Sequence, residues 1–227
     1  MNNSFKKPTV IVFDVNETLL DMIDVKMKVN NALGSTSGFK LWFTQLLQYS
    51  LVDTVTASYH DFGAIAGATL EMTALALETE LKEADKKEIL ASMKSLPPHD
   101  DVKEGLQLLK DAGFRLVTLT NSAKDTLQQQ LTHAGLTNYF ETMLSVDEFK
   151  LFKPHGEVYQ KALSKIGVSP QESLMVAAHG WDIAGALAAG MQAGFIERKG
   201  QSLYPLAPLP QYTGKDLVEL ANAIINN

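Results

Sequence analysis

The spacing of apolar and polar positions changes character along the chain. Thr9-Val10-Ile11-Val12-Phe13 is a β-branched and aromatic run that stops at Asp14 and gives way to Val15-Asn16-Glu17-Thr18. An unbroken run of this length predicts a strand buried on both faces of a parallel sheet, with Asp14 at its carboxyl end. Beyond Asp21 the period becomes helical. Residues 22–97 place apolar side chains three and four apart: Leu41, Trp42, Leu46 and Tyr49 share one face, and Leu70, Ala74, Leu77 and Leu81 another. Pro97-Pro98 ends that block.

From there strands and helices alternate. A helix is predicted over 102–112, then a strand Arg115 to Thr120 stopping at Asn121-Ser122, then a helix over 123–134 closed by Gly135. A short strand near Met143 to Ser145 follows, with a helix over 156–166 and a strand Leu174 to Ala178 that runs into His179-Gly180-Trp181-Asp182. A helix over 183–189, a last core strand over 192–197, a Pro-containing loop over 203–210 and a helix over 216–225 complete the pattern. This order implies an α/β fold: a Rossmann-like parallel sheet with crossover helices and a helical block inserted after the first strand. The expected division is a core of 1–20 and 98–227 and a helical cap of 21–97.

Many strands end in an Asp that only caps the next turn. Asp14 is set apart because Thr120-Asn121 and His179 to Asp182 also stand at strand carboxyl ends, where open α/β sheets bind ligands. Composition narrows the chemistry. The 227 residues carry a net charge of −6 with scattered cations, which argues against nucleic acid or an anionic membrane as partner. Cysteine is absent, so thiol nucleophiles, disulfides and thiolate metal sites are excluded. His60, His99, His133 and His155 share no metal-ligand spacing. No apolar run reaches the ~18 residues of a membrane span, and Met1 to Pro8 holds no signal-type segment. A cytoplasmic protein is expected.

Asp14 with Thr18, then Thr120-Asn121, Lys153-Pro154 and Asp182, in this order and on these elements, resemble the haloacid dehalogenase superfamily over nearly the whole chain. The resemblance implies that Asp14 is a nucleophile forming a covalent ester. Superfamily phosphatases carry a second Asp two positions after the nucleophile as general acid and base. Here it is Asn16, an amide that cannot exchange a proton at neutral pH. Lys153-Pro154 followed by Tyr159, the Trp181-Asp182 pair, and Trp42, Leu47, Tyr49 and Phe62 in the cap are similar to the L-2-haloacid dehalogenase branch.

That branch implies displacement of halide from short 2-haloacids by a carboxylate, followed by ester hydrolysis. In it Lys153 balances the charge of Asp14, Thr18 positions Asp14, and Asp182 positions Lys153. Thr120, Lys153 and backbone amides after Asp14 hold the substrate carboxylate. Asn121 and Phe62 border the halide, and Tyr159 supports Lys153. Lys150 is the competing cation, but Pro154 favours Lys153. No magnesium or other cofactor is expected, the partner is a small haloacid, and family members often pair as dimers.

Two departures alter this picture. The Arg that draws out halide in the branch is replaced by Phe43, and residues 19–97 contain no Arg. The Ser and Asn that help place water are replaced by Ala177 and His179. A His at that place suits a general base, with Glu17 orienting its other nitrogen. Trp42, Phe43 and Trp181 are expected to wall the substrate, with cap core as the alternative for Trp42 and Phe43. Rival readings are a magnesium-dependent phosphatase and a non-catalytic binding protein of the same fold.

Overall fold

A computed structural model describes residues 7–226; the part of the N-terminal reading that concerns residues 1–6 lies outside it. Among the described residues six strands, β1 (Val10–Phe13), β2 (Arg115–Thr120), β3 (Thr142–Ser145), β4 (Ser173–Ala177), β5 (Gln192–Ile196) and β6 (Tyr212–Gly214), make one sheet in the order β3-β2-β1-β4-β5-β6. Every adjacent pair is parallel. The expected Rossmann-like sheet is therefore present, with one strand more than the sequence pattern indicated. β6 is three residues, Tyr-Thr-Gly, too short and too polar to register as an apolar run.

β1 is central and wholly buried, as its apolar run requires. From β1 the chain builds β2 and β3 on one side, then crosses to β4 and β5 on the other. The order reverses beside β1, and such a switch point opens a crevice at the carboxyl ends of the strands. Phe13 pairs with Thr118 on β2 and with Val176 on β4, so the residues just beyond all three strands meet there.

Helices α1 (Ile23–Ala32), α2 (Gly38–Thr56), α3 (Phe62–Ala76) and α4 (Glu83–Ser92) follow β1 directly. α2 packs on α3 by burying Phe39, Trp42, Phe43, Leu46 and Ser50, whereas Tyr49, expected on that face, is exposed. α3 starts at Asp61, whose carboxylate accepts from the amides of Gly63 and Ala64. It ends at Ala76, so Leu81 lies outside the helix.

α5 (Val102–Asp111), α6 (Lys124–Ala134), α7 (Gly156–Ile166), α8 (Gly180–Ala188) and α9 (Leu217–Ile225) form the crossovers and the C-terminal layer. α6 ends on Gly135 at φ 67°, a left-handed conformation that favours glycine. α8 starts three residues earlier than expected. Trp181 and Asp182 thus lie in its first turn, with His179 as the residue before it. No helix among the described residues is long and apolar enough to cross a membrane.

Candidate active site

Asp14 follows β1 directly, its amide bonded to the carbonyl of Val176 on β4 at 3.0 Å. Its carboxylate has two differently furnished oxygens. Oδ1 faces Lys153 Nζ at 3.0 Å, while Oδ2 accepts from the Thr18 hydroxyl at 2.7 Å and lies 3.1 Å from His179 Nδ1. The Thr18 oxygen in turn accepts from the amide of Ala178 at 3.0 Å, which fixes the hydroxyl proton on Asp14.

Lys153 is fully buried, an arrangement sustained only by counter-charges. Its ammonium sits between Asp14 and Asp182, 2.6 Å from Oδ2 of the latter. Lys150 instead points to Asp147 at 3.7 Å and lies over the Tyr59 ring. Asp182 receives its second donor from Tyr159, whose hydroxyl is 2.5 Å from Oδ1. A Cβ at Gly185 would come within 2.6 Å of that hydroxyl and 2.5 Å of Pro154, so α8 needs a glycine to let Tyr159 and Pro154 in.

Several expected substrate contacts are corrected by these positions. Tyr159 is completely buried and serves Asp182, not Lys153 directly and not the crevice. Trp42 is also fully buried, with its indole N–H donated to the carbonyl of Ala66 at 2.9 Å, so it belongs to the α2–α3 core. Both amide atoms of Asn121 turn to the backbone of Lys153: Oδ1 accepts from its N–H at 2.9 Å and Nδ2 lies 3.5 Å from its carbonyl. An amide nitrogen has two protons, so one at most remains for a ligand.

Phe43 does reach the site. Its ring stacks on His179 with centroids 6.1 Å apart, and Trp181 stacks on the same imidazole at 5.2 Å. Lys153 Nζ lies 5.8 Å from the centre of the Trp181 ring. The indole Nε1 of Trp181 is buried and has no hydrogen-bond partner among the described residues. Phe62 is buried with its ring 6.1 Å from that of Phe152, beside Lys153. Thr120 stands at the end of β2 with its oxygen accepting from the Ser122 amide at 3.1 Å.

Glu17 meets His179 as its position suggested. Oε2 is 2.9 Å from Nε2, and the contact depends on a left-handed Glu17 backbone with φ 59°. The surroundings of the imidazole set its protonation in the free enzyme. Both ring nitrogens face carboxylate oxygens, so both need protons. Burial alone would lower its pKa, but the hydrogen bonds and charges of Asp14 and Glu17 lift it to about 9. While Asp14 is a free carboxylate, His179 is therefore held as an imidazolium near neutrality.

Burial likewise disfavours an ionised Asp14, yet Lys153, His179 and Thr18 together hold its carboxyl well below the ordinary range. Burial pushes the Asp182 carboxyl upward, and the charge of Asp14 adds to this, against the pull of Lys153. Lys153 is raised, because the two carboxylates outweigh its desolvation.

Two functional neighbours escaped the sequence reading. Gln201 donates to Glu17 Oε2 at 3.2 Å. Arg198 donates to the Thr18 carbonyl at 3.0 and 3.2 Å and makes a two-pronged pair with Asp101. Both lie in the loop after β5, with no motif around them. The chain's other arginine, Arg115, pairs with Glu141 at the far end of β2, so neither arginine is committed to the crevice. Asn16 is also turned away from Asp14: it donates to the Ser122 hydroxyl and accepts from Gln130, each at 3.0 Å.

The model of the haloacid dehalogenase-like hydrolases matches residues 8–190. The chain is 31% identical to (S)-2-haloacid dehalogenase 4A of Burkholderia cepacia over 201 residues, covering 87% of each chain. It is 34% identical to (S)-2-haloacid dehalogenase 1 of Pseudomonas sp. (strain CBS-3) over 192 residues, 82% of this chain and 83% of that one. Among solved structures it is similar to the L-2-haloacid dehalogenase of Xanthobacter autotrophicus with chloropropionic acid covalently bound. That match has a TM-score of 0.86, 25% identity, and coverage of 96% of this chain and 98% of the other.

Proposed function

The chain belongs to the haloacid dehalogenase-like hydrolases, and within that family we propose that it is an (S)-2-haloacid dehalogenase. It hydrolyses the carbon–halogen bond of short 2-haloalkanoic acids to 2-hydroxy acids. The observation that carries this reading is the ammonium of Lys153 lodged between Asp14 and Asp182. Similarity to curated (S)-2-haloacid dehalogenases supports it.

In the first half-reaction Oδ1 of Asp14 attacks the carbon bearing the halogen, and the halide departs with the bonding pair. The configuration at that carbon inverts. Oδ1 is the oxygen with a single partner and so keeps a lone pair for attack. Lys153 keeps Asp14 ionised and, with Thr120 and the backbone amides after Asp14, receives the substrate carboxylate. Asp182, held by Tyr159, fixes Lys153. With no arginine in 19–97, the donors for the halide are the unpartnered Trp181 N–H and the remaining N–H of Asn121, with Phe43 and Phe62 as the apolar wall. The second half-reaction hydrolyses the ester on Asp14.

In this reading residues 21–97 form a cap over a core made of 1–20 and 98–227, and Phe43 is its contact with the catalytic centre. A chain without cysteine suits a reducing compartment, and the cytoplasm is the one we propose. A second copy of the chain is the partner proposed for the exposed apolar side chains Leu51, Val52, Val55 and Leu75 on α2 and α3, a pairing that light scattering on the V55K variant tests.

Halide release from bromoacetate, with and without chelator, is measured beside hydrolysis of an aryl phosphate. The reading expects chelator-insensitive halide release and one haloacid-derived ester per chain on Asp14 after denaturing quench. Magnesium-dependent phosphate release without halide release overturns it.

A further inference from the structure

Once Oδ1 carries the ester, Oδ2 of Asp14 becomes the ester's carbonyl oxygen. Two donors already converge on it, the Thr18 hydroxyl at 2.7 Å and His179 Nδ1 at 3.1 Å. The opposite nitrogen of His179 is anchored at 2.9 Å by Glu17, itself held by Gln201. We infer that His179 and Thr18 form the oxyanion hole for hydrolysis of the Asp14 ester, with Glu17 keeping the imidazole charged, so that His179 donates a hydrogen bond and takes no proton from water. This deepens the dehalogenase reading and rests on it.

The step balances without a histidine base. Water oxygen bonds to Cγ of Asp14, and the carbonyl pair moves onto Oδ2. Collapse breaks the Cγ–Oδ1 bond and expels the alkoxide of the 2-hydroxy acid. One water proton ends on that alkoxide, and the other leaves as Asp14 ionises again. Lys153, 3.0 Å from Oδ1, can protonate the departing alkoxide, and Asp182, 2.6 Å from its ammonium, can relay the proton that restores it. A donor preset on the oxygen where charge develops needs no reorganisation at the moment of reaction, and removing one such donor slows catalysis by about 100- to 1000-fold.

Geometry favours this task over proton acceptance. Free Nδ1 is what a base needs, yet Nδ1 points at Oδ2 of Asp14, which can only accept, as a carboxylate oxygen and as an ester carbonyl alike. The charged groups facing the ring are Asp14 and Glu17 directly, with Lys153 and Asp182 behind Asp14; the remaining neighbours are the rings of Phe43 and Trp181.

The test separates donation from proton transfer. His179→Asn keeps an N–H close to the Nδ1 position but cannot exchange a proton; His179→Leu removes the donor. Ester hydrolysis is followed after a single turnover of bromoacetate by mass spectrometry of the quenched protein. The expected result is hydrolysis about tenfold slower in H179N and about 100- to 1000-fold slower in H179L, with the ester persisting correspondingly longer in the latter. In the native enzyme ester hydrolysis falls as pH rises and the imidazolium is lost. Glu17→Gln moves that fall toward neutral pH and supplies the answer should H179L not fold. Equal loss in H179N and H179L, no loss in either, or a rate that climbs with pH overturns the inference. Absence of any halide release from the native enzyme sinks instead the dehalogenase reading on which it rests.

Discussion

Lys153 Nζ stands 3.0 Å from Asp14 Oδ1 across 139 residues of sequence, and no other cation is bonded to that oxygen among the described residues. One side chain therefore sets both the charge and the aim of the nucleophile. Lys153→Met removes the ammonium and leaves two buried carboxylates facing each other, which forces one of them to hold a proton. Halide release from bromoacetate is expected to fall by about 100- to 1000-fold, the magnitude of losing one electrostatic donor. The acid limb of the residual activity moves upward, because Asp14 then ionises at higher pH. A K153M enzyme that keeps more than a tenth of native activity contradicts the assignment.

Much of this centre was legible from sequence because strand ends announce themselves. Val10–Phe13 had to be a buried strand, so Asp14 had to stand at its end, and the same holds for Thr120 as the last residue of β2. What periodicity cannot choose is which of two adjacent residues faces the site. Trp42 and Phe43 sit about 100° apart on α2, and only the fold shows that the first goes to Ala66 and the second to His179. Gln201 and Arg198 were invisible because a loop residue acquires its partners only when the loop is placed. The proton on His179 was hidden for a related reason: it depends on two carboxylates at 2.9 and 3.1 Å, a distance-sensitive quantity no pattern encodes.

The same imidazolium makes stability depend on pH. A group whose folded pKa is raised contributes stability that is fully present below its unfolded value near 6.5 and is lost as pH rises through about 9. A rise of this size corresponds to at most about 3 kcal/mol. Urea midpoints measured at pH 6 and pH 10 are expected to differ by an amount that largely disappears in H179N. Asp14 acts in the opposite direction, its contribution present above the ordinary carboxylate range and lost on acidification. A native protein whose alkaline destabilisation matches that of H179N refutes the linkage.

Tyr159 acts at one remove from substrate, through Asp182. Tyr159→Phe leaves Oδ1 of a fully buried carboxylate without its donor, which costs about 1–3 kcal/mol. With that constraint gone Asp182 holds Lys153 less firmly, so kcat is expected to fall about tenfold while KM changes little, since Tyr159 touches no substrate atom. A rise in KM at constant kcat would place the phenol in the substrate pocket instead.

The unpartnered indole N–H of Trp181 yields the remaining prediction. A buried donor without an acceptor costs about 1–3 kcal/mol, and in the crevice beside Lys153 that cost is recovered when an anion arrives. Trp181→Phe keeps the stack on His179 and deletes only the N–H. Burst-phase halide release is expected to slow about tenfold, one hydrogen bond's worth. The loss is larger for chloroacetate than for bromoacetate, because chloride is the poorer leaving group and needs more stabilisation as it departs. Ester hydrolysis in the second half-reaction stays at the native rate, since the halide has gone by then. Deletion of a merely structural donor would instead raise the urea midpoint with no change in the burst, so a more stable W181F with an unaltered halide burst removes Trp181 from the halide site.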